Sequence, residues 1–342
     1  MRRVFAALLL AGGLMPLCVA ARLEDDPHYK PVKAVGQRTF TVQSAQGSGV
    51  IRYFGTGSLD AGSKTAARAL INISGLLRNS DVYERTGEKA IFAADAASDT
   101  ILITPQFLAQ VDITGYHLPA ETLRWEVQTW LDGSPALGPS ALSSFDVLDA
   151  IIQRLADSSR FPALREIVLI GHSAGGQLVQ RYAVVGRAPD AVTLPVRYVV
   201  ANPSSYLYFD RERPVAHAGC AKFDDWKYGF ENVPPYVNGS PSAYENRYVQ
   251  RNVTYLLGRL DTDPHHPVLD RSCPGEAEGA FRLARGRNYV RYLEQRHPSG
   301  TKQTEAEVAG VDHDGDAMFT SACGVAVIFE RPRTPCAHNE RV

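Results

Sequence analysis

The most restrictive feature of this sequence is a short strand, a tight turn and a helix that follow one another without a break. Residues 167–170 are apolar and rich in β-branched side chains, which predicts a buried strand. Gly171 to Gly175 then reads Gly-His-Ser-Ala-Gly, matching the pattern G-x-S-x-G, and residues 177–185 have helical apolar spacing. So sharp a turn requires small flanking residues and lifts the hydroxyl of Ser173 clear of the sheet. Unless the turn has only a structural role, the sequence predicts a nucleophilic serine here.

Strands and helices alternate along most of the remaining sequence. Apolar runs predict seven further strands, at residues 39–44, 50–55, 69–73, 100–104, 196–201, 253–257 and 303–308, with a Gly-Ser-Gly turn between the first two. Helical spacing predicts helices at residues 82–97, 141–156 and 278–294. Such alternation indicates a mostly parallel sheet with helices on both faces. We therefore expect residues 22–342 to form a single α/β domain.

Residues 204–244 interrupt this alternation. The segment is dense in aromatic residues and proline, and it shows neither helical nor strand periodicity. It lies between two predicted strands, where a fold of this class accommodates insertions. We expect a small loop-rich cap over the carboxyl edge of the sheet, with aromatic side chains that suit an apolar or aryl acyl group. Ordinary surface packing of a long loop is the alternative.

The first 21 residues predict an export signal. Arg2 and Arg3 precede an apolar run from Val4 to Leu17, and small residues follow up to Ala21. The run is too short, and too interrupted by glycine and proline, for a membrane span, and no other segment has the required length. Cleavage near Ala21 predicts a periplasmic or secreted protein.

Four cysteines follow the predicted signal: Cys220, Cys273, Cys323 and Cys336. An even number in an exported chain suggests two disulfides. Three pairings are possible, and the sequence does not decide among them. We favour Cys323–Cys336, which closes a short loop, together with Cys220–Cys273. No two of these cysteines have the close spacing of zinc ligands, so we expect no metal site.

Charge argues against several classes of partner. The chain has 36 basic and 37 acidic residues and a formal net charge of −1. This balance implies no cationic face for nucleic acid or an anionic membrane. Residues 312–316, Asp-His-Asp-Gly-Asp, lack the alternating ligands and the terminal glutamate of a calcium loop. We expect no cofactor.

A serine nucleophile needs an adjacent base, which a carboxylate orients. In a sheet of this kind the order along the chain is nucleophile, acid, histidine. Six histidines follow the serine: His217, His265, His266, His297, His313 and His338. His313 comes directly after the last predicted strand, where a loop can reach the serine, and we assign it as the base. His297, at a predicted helix end, is typical of a surface residue, and His265 and His266 follow the strand that should supply the acid.

The acid is expected after the predicted strand 253–257. This strand ends at Gly258-Arg259-Leu260-Asp261-Thr262-Asp263. A carboxylate a few residues beyond a strand end can accept a hydrogen bond from the imidazole Nδ1–H. We prefer Asp261 to Asp263, because an aspartate directly before Pro264 suits an Asx-turn.

Hydrolysis through a tetrahedral intermediate also needs backbone N–H donors for the oxyanion. Ala174, directly after the serine, supplies one of them. We expect the second from Leu76, because Gly75 permits a tight bend after the predicted strand 69–73. A plain glycine turn at the end of that strand is the alternative.

Together these motifs resemble the α/β-hydrolase superfamily over roughly residues 39–330. Residues 75–79, 202–206, 255–258 and 313–319 further resemble poorly characterised exported bacterial and fungal hydrolases. The resemblance implies a serine esterase that acts on small-molecule or polymeric esters. Ser74 departs from the pattern, because many such enzymes have histidine there. An amidase, a peptidase, a polyester depolymerase or a binding protein without catalysis are the alternatives.

Overall fold

One mixed sheet runs through residues 26–216 and 218–337, the part of the chain that the computed structural model describes. Its strands are β1 (Arg38–Ser44), β2 (Gly47–Phe54), β3 (Arg68–Ile73), β4 (Thr100–Gln106), β5 (Glu166–His172), β6 (Val196–Ala201), β7 (Asn252–Gly258) and β8 (Gln303–Val308). Their spatial order is β1-β2-β4-β3-β5-β6-β7-β8. The pairs β1–β2 and β2–β4 are antiparallel, and all others are parallel. The predicted mostly parallel α/β sheet is confirmed.

Helices connect these strands. Within the described residues they are α1 (Ser80–Ala93), α2 (Gln110–Tyr116), α3 (Ser144–Leu155), α4 (Ala174–Val185), α5 (Ala188–Ala191), α6 (Pro241–Tyr248), α7 (Cys273–Glu278), α8 (Arg282–Arg296), α9 (Gly315–Thr320) and α10 (Ala322–Ile328). Helix α3 shows how the sequence sets a boundary. The Ser143 hydroxyl accepts from the N–H of Phe145, and the Asp146 carboxylate accepts from the N–H of Ser143. This reciprocal capping satisfies backbone donors that a helix start leaves unpaired.

The helices cover both faces of the sheet. Alternate strand residues point to opposite sides, so Ile71 and Leu169 belong to one core, and Leu70 and Val168 belong to the other. Helices α3, α4 and α8 complete the first core, and α1, α9 and α10 complete the second. Burial on both faces explains why β3 and β5 are apolar along most of their length.

Three local predictions need correction. The Gly-Ser-Gly run at 47–49 belongs to β2, because the hairpin turn is made by residues 45 and 46. The helix predicted at 278–294 is divided into α7 and α8, because Gly279 adopts φ 144° and ends the first helix. Helix α6 begins at Pro241, inside the segment that was predicted to be irregular.

The cysteines pair as we favoured. Cys220 is bonded to Cys273, and Cys323 is bonded to Cys336. The first disulfide joins the insertion to the start of α7, and the second joins α10 to the residues that follow it. The predicted signal at residues 1–21 lies outside the described residues, as do His217 and His338. None of the helices among the described residues has the length and apolar character needed to span a bilayer.

Candidate active site

Ser173 lies at the apex of the turn between β5 and α4. Its backbone has φ 58° and ψ −118°, a conformation that costs free energy for any residue with a side chain. Packing explains the small residues around it. A Cβ atom at Gly171 would lie 2.4 Å from the carbonyl oxygen of Gly175, and a Cβ atom at Gly175 would lie 2.4 Å from that of Ile73. The two glycines of the motif are therefore required for β3, β5 and α4 to approach one another this closely.

The structure brings the three predicted side chains together. His313 Nε2 lies 2.9 Å from Ser173 Oγ, and His313 Nδ1 lies 2.7 Å from Asp261 Oδ2. Both are hydrogen-bond distances. Asp261 follows β7 and His313 follows β8, and the parallel sheet places both loops at the same edge as the serine. Asp263 is exposed and instead accepts a hydrogen bond from the backbone N–H of His265 at 2.8 Å.

The surroundings of His313 favour its neutral form. Burial lowers the pKa of His313, the hydrogen bond to Asp261 opposes that effect, and the charge of Arg282 lowers the pKa further. A neutral imidazole can accept a proton from the hydroxyl of Ser173. Ser173 and Asp261 are both buried, with 9% and 3% of their surfaces exposed.

A buried arginine that the sequence did not reveal contacts Asp261. Arg282, at the start of α8, is 1% exposed, and its guanidinium lies 3.4 Å from Asp261 Oδ1. The same guanidinium lies 3.1 Å from Ser204 Oγ and 3.5 Å from Nδ1 of His266. The two oxygens of Asp261 are thus divided between Arg282 and His313. Nothing in the sequence separates Arg282 from the other arginines of α8.

A second histidine lies against the ring of His313. His172, the residue before the serine, has its ring centroid 4.5 Å from that of His313, and its Nδ1 lies 3.0 Å from the hydroxyl of Tyr83. Burial, followed by the charges of His313 and Arg282, lowers the pKa of His172 well below its usual value. A Cβ atom at Gly315 would lie 2.9 Å from both His172 Nδ1 and the Tyr83 hydroxyl. This contact accounts for the glycine two residues after His313.

Asn202 links the loops that carry Asp261 and His313. Its side-chain oxygen accepts from the N–H of Gly258 at 2.8 Å, and its side-chain nitrogen donates to the carbonyl of Asp312 at 3.2 Å. Its φ of 43° is one that asparagine tolerates better than most residues. One side chain at the end of β6 therefore sets the spacing between the ends of β7 and β8.

The loop after β3 lies beside the serine. A Cβ atom at Gly75 would lie 3.8 Å from Ser173 Cβ. Among the described residues, no protein group accepts a hydrogen bond from the backbone N–H of Leu76 or of Ala174. Ala174 is the first residue of α4, where an N–H has no partner within the helix. Ser74 is buried and accepts a hydrogen bond from the hydroxyl of Ser80 at 3.3 Å.

Arg78 in the same loop anchors the start of the described chain. It forms a buried ion pair with Asp112 at 2.8 Å. It also donates to the carbonyl oxygens of His28 and Lys30, at 2.7 and 3.0 Å. The motif at residues 75–79 therefore combines a turn beside the serine with an anchor for residues 26–30.

A cavity of about 700 Å³ borders the serine. Ser173, Ala174 and Leu76 line it together with residues 26–28, and its volume is typical of sites for small molecules. Two segments supply most of the remaining lining, through residues 204, 227 and 228 and through residues 267–271. We call residues 204–216, 218–240 and 264–273 the cavity wall. No group of three or more potential metal ligands occurs in residues 26–216 and 218–337.

The aromatic residues of the insertion largely pack elsewhere. The rings of Tyr206 and Tyr208 contact Tyr289 of α8, at centroid distances of 4.7 and 5.1 Å. Of the described aromatic residues in the insertion, only Tyr228 borders the cavity. The rest of the lining is mixed, with apolar residues such as Leu131 and Val268 beside charged ones such as Lys227 and Arg271. Aromatic side chains of the insertion thus form only a small part of the lining, so an apolar or aryl acyl site and the cap itself stay predictions.

The other histidines considered as bases lie in different settings. His297 Nε2 lies 2.9 Å from Glu245 Oε1, and His265 is exposed. His266 is close to the site, since its ring contacts that of His313 edge-on at a centroid distance of 5.0 Å. A histidine that follows β7 can therefore still lie close to the site, and the choice of His313 as the base stays a prediction.

The overall fold is similar to that of two solved hydrolases. Poly(aspartic acid) hydrolase-1 from Sphingomonas sp. KT-1 has a TM-score of 0.60 and 19% identity, over 88% of this chain and 99% of that one. LpqC, a poly(3-hydroxybutyrate) depolymerase from Bordetella parapertussis, has a TM-score of 0.60 and 17% identity, over 87% of this chain and 91% of its own. This chain has the α/β-hydrolase fold.

The sequence comparisons found no relative. No known family model matches the sequence, and no curated protein is similar enough to match it. At 17% and 19% identity the structural likeness concerns the fold alone. What this protein does must therefore be argued from its own site.

Proposed function

We propose that this protein is a serine hydrolase that cleaves carboxylic esters through an acyl-enzyme intermediate. One observation carries the proposal: hydrogen-bond distances link Ser173 to His313 and His313 to Asp261, beside a cavity of small-molecule size. The strained backbone of Ser173 supports it, because such strain is kept where it positions a reacting group.

The proposed reaction has two halves. Ser173 Oγ attacks the ester carbonyl while its proton passes to His313 Nε2, and the Asp261 carboxylate stabilises the resulting imidazolium through Nδ1–H. The N–H groups of Leu76 and Ala174 donate to the oxyanion. The intermediate collapses, and the imidazolium protonates the departing alcohol. Water, deprotonated by His313, then attacks the acyl-enzyme, and the acid is released with Ser173 restored.

A fluorophosphonate probe tests this proposal directly. We expect it to label Ser173 in the wild-type protein, which should also hydrolyse 4-nitrophenyl acetate. The Ser173→Ala variant should fold normally by circular dichroism, yet show neither labelling nor turnover. A folded wild-type protein that is not labelled would contradict the mechanism and would favour a binding protein without catalysis.

A polymeric ester is the second candidate substrate. Two proteins of similar fold are named as hydrolases of polymers, one of them as a polyester depolymerase. Clearing of a polyester suspension by the wild-type protein, compared with Ser173→Ala, would separate this candidate from a small ester. An amidase would instead be recognised by turnover of a matched 4-nitroanilide.

We further propose that the protein is exported. Residues 1–21 have the features of a signal, and two disulfides suit an oxidising compartment. Mass spectrometry of protein recovered from the periplasm or medium should find an N-terminus near Arg22. Recovery only from the cytoplasm with an intact N-terminus would contradict export.

A further inference from the structure

The charges on the catalytic cavity are not fully matched within the protein. Lys227 Nζ lies 3.0 Å from Asp270 Oδ2 on the cavity wall. Asp26, on another part of the lining, accepts from the backbone N–H of His28 at 2.9 Å and lies 2.6 Å from its Nδ1. Arg271 is a further charged residue on the lining, and none of these contacts involves it.

Both carboxylate oxygens of Asp270 already accept hydrogen bonds from residues other than Arg271. Its Oδ1 accepts from the hydroxyl and the N–H of Ser272, at 2.6 and 3.1 Å. Its Oδ2 accepts from the hydroxyl of Tyr228 at 2.6 Å and from Lys227. Burial alone would raise the pKa of Asp270, but the charge of Lys227 and these hydrogen bonds hold the pKa below its usual range. Lys227 and Asp270 therefore form a closed pair.

Arg271 is exposed and unengaged. Among residues 26–216 and 218–337, none forms a hydrogen bond, an ion pair or a ring contact with its guanidinium. A guanidinium stays protonated at any ordinary pH and presents a planar set of N–H donors. It is thus a permanent positive charge on the lining of the cavity that Ser173 also borders, with its hydrogen-bonding capacity unused.

Arg271 also borders a second cavity of about 340 Å³. That lining further includes Arg285 and the carboxylate of Glu276. Arg285 is buried and donates to the carbonyls of Gly279 and Ser204, whereas Arg271 is exposed and borders both cavities. An apolar acyl chain would gain nothing from the guanidinium of Arg271.

We propose that Arg271 binds a free carboxylate of the substrate, so that the protein hydrolyses esters whose chain carries an anionic carboxyl group. This inference rests on the proposed function and specifies its substrate class. The carboxylate would accept two hydrogen bonds from the planar guanidinium, an arrangement that Lys227 cannot offer because Asp270 already engages it. Half-esters of dicarboxylic acids and oligomers with a free carboxyl end belong to this class.

The test compares two esters of equal shape and different charge. Mono-4-nitrophenyl adipate carries a terminal carboxylate, and 4-nitrophenyl 6-methylheptanoate replaces that group by an isopropyl group. The measured quantity is the ratio of their kcat/KM values in the wild-type protein, in Arg271→Gln and in Arg271→Lys. Arg85→Gln is the control, because Arg85 is an exposed arginine on α1 that lines neither cavity.

We expect Arg271→Gln to lower the ratio by about fivefold, through kcat/KM for the adipate, with the neutral ester changed by less than about twofold. Arg271→Lys should keep part of the preference, and added salt should reduce it. An unchanged ratio in Arg271→Gln, with the neutral ester hydrolysed normally, would overturn the carboxylate site alone. No turnover of either ester and no fluorophosphonate labelling would overturn the proposed function, and this inference with it.

Discussion

The turn that carries Ser173 and the cavity wall meet at the substrate cavity, yet different kinds of interaction hold them in place. The turn is made by residues adjacent in sequence, and backbone contacts at Gly171 and Gly175 fix it. The wall depends on contacts between distant residues, above all the disulfide Cys220–Cys273 and the Lys227–Asp270 pair. Under the proposed function, the local turn sets the reaction, whereas the long-range contacts of the wall set which substrate reaches it.

The largest effect should come from removing the base beside the turn. We expect His313→Ala to lower kcat for a 4-nitrophenyl ester at least about a thousandfold, because the hydroxyl of Ser173 loses its proton acceptor. Near-ultraviolet circular dichroism should be unchanged. His266→Ala is the control, because that ring touches His313 but is not the group within reach of the hydroxyl. Similar losses in both variants would refute the distinct role of His313.

The difference between the two regions also explains what the sequence could reveal. The turn could be predicted from the sequence because its strand, its glycines and its helix are contiguous. The assignments of Asp261 and His313 followed from chain order in a parallel sheet, which places successive strand ends at one edge.

The contacts of Arg282 and Asn202 could not be predicted from the sequence, since each residue contacts partners that are remote in sequence. Arg282 lies 21 residues from Asp261, and Asn202 lies 56 residues from Gly258. The aromatic composition of the insertion was misleading for a similar reason. Composition shows that rings are present, but tertiary packing decided that Tyr206 and Tyr208 face α8 rather than the cavity.

The two disulfides offer a matched test of the cavity wall. Cys220→Ala/Cys273→Ala removes a link across 53 residues, and Cys323→Ala/Cys336→Ala removes one across 13. Loop-closure entropy predicts losses in the free energy of unfolding of about 4 and about 3 kcal/mol, as upper values.

Only the first pair borders the cavity wall, so only its removal should raise KM for esters, with kcat less affected. Urea denaturation and steady-state kinetics measure the two effects. An equal rise of KM in both double variants would show that the wall does not depend on the Cys220–Cys273 link.

A smaller change in stability should follow from crowding the turn. In Gly175→Ala the new methyl group would lie 2.4 Å from the carbonyl oxygen of Ile73 and 2.6 Å from that of Ser74, so backbone must move. We expect a loss of about 1–3 kcal/mol, together with reduced kcat because the Leu76 loop is displaced.

Gly239→Ala is the control for this substitution, since the nearest atoms to its methyl group would belong to the side chain of Tyr244, at 3.0 Å, and not to backbone. Thermal unfolding measures the stability of both variants, and steady-state kinetics measures their kcat. A Gly175→Ala variant with wild-type kcat would show that the loop after β3 tolerates displacement.

The smallest effect should be a shift in pH dependence caused by Arg282. The charge of Arg282 lowers the pKa of His313, so Arg282→Met should raise that pKa. Because the neutral imidazole is the active form, the acid limb of kcat/KM should move to higher pH, while the plateau above it changes less. Asp261, His266 and His172 also face His313 and remain in the variant.

Arg285→Met is the control. Arg285 is equally buried in α8 and donates to Ser204 and Gly279, so its loss should destabilise the fold without moving the acid limb of the pH profile. If the acid limb of kcat/KM stays in place in Arg282→Met, or moves to lower pH, Arg282 acts on this site through packing alone.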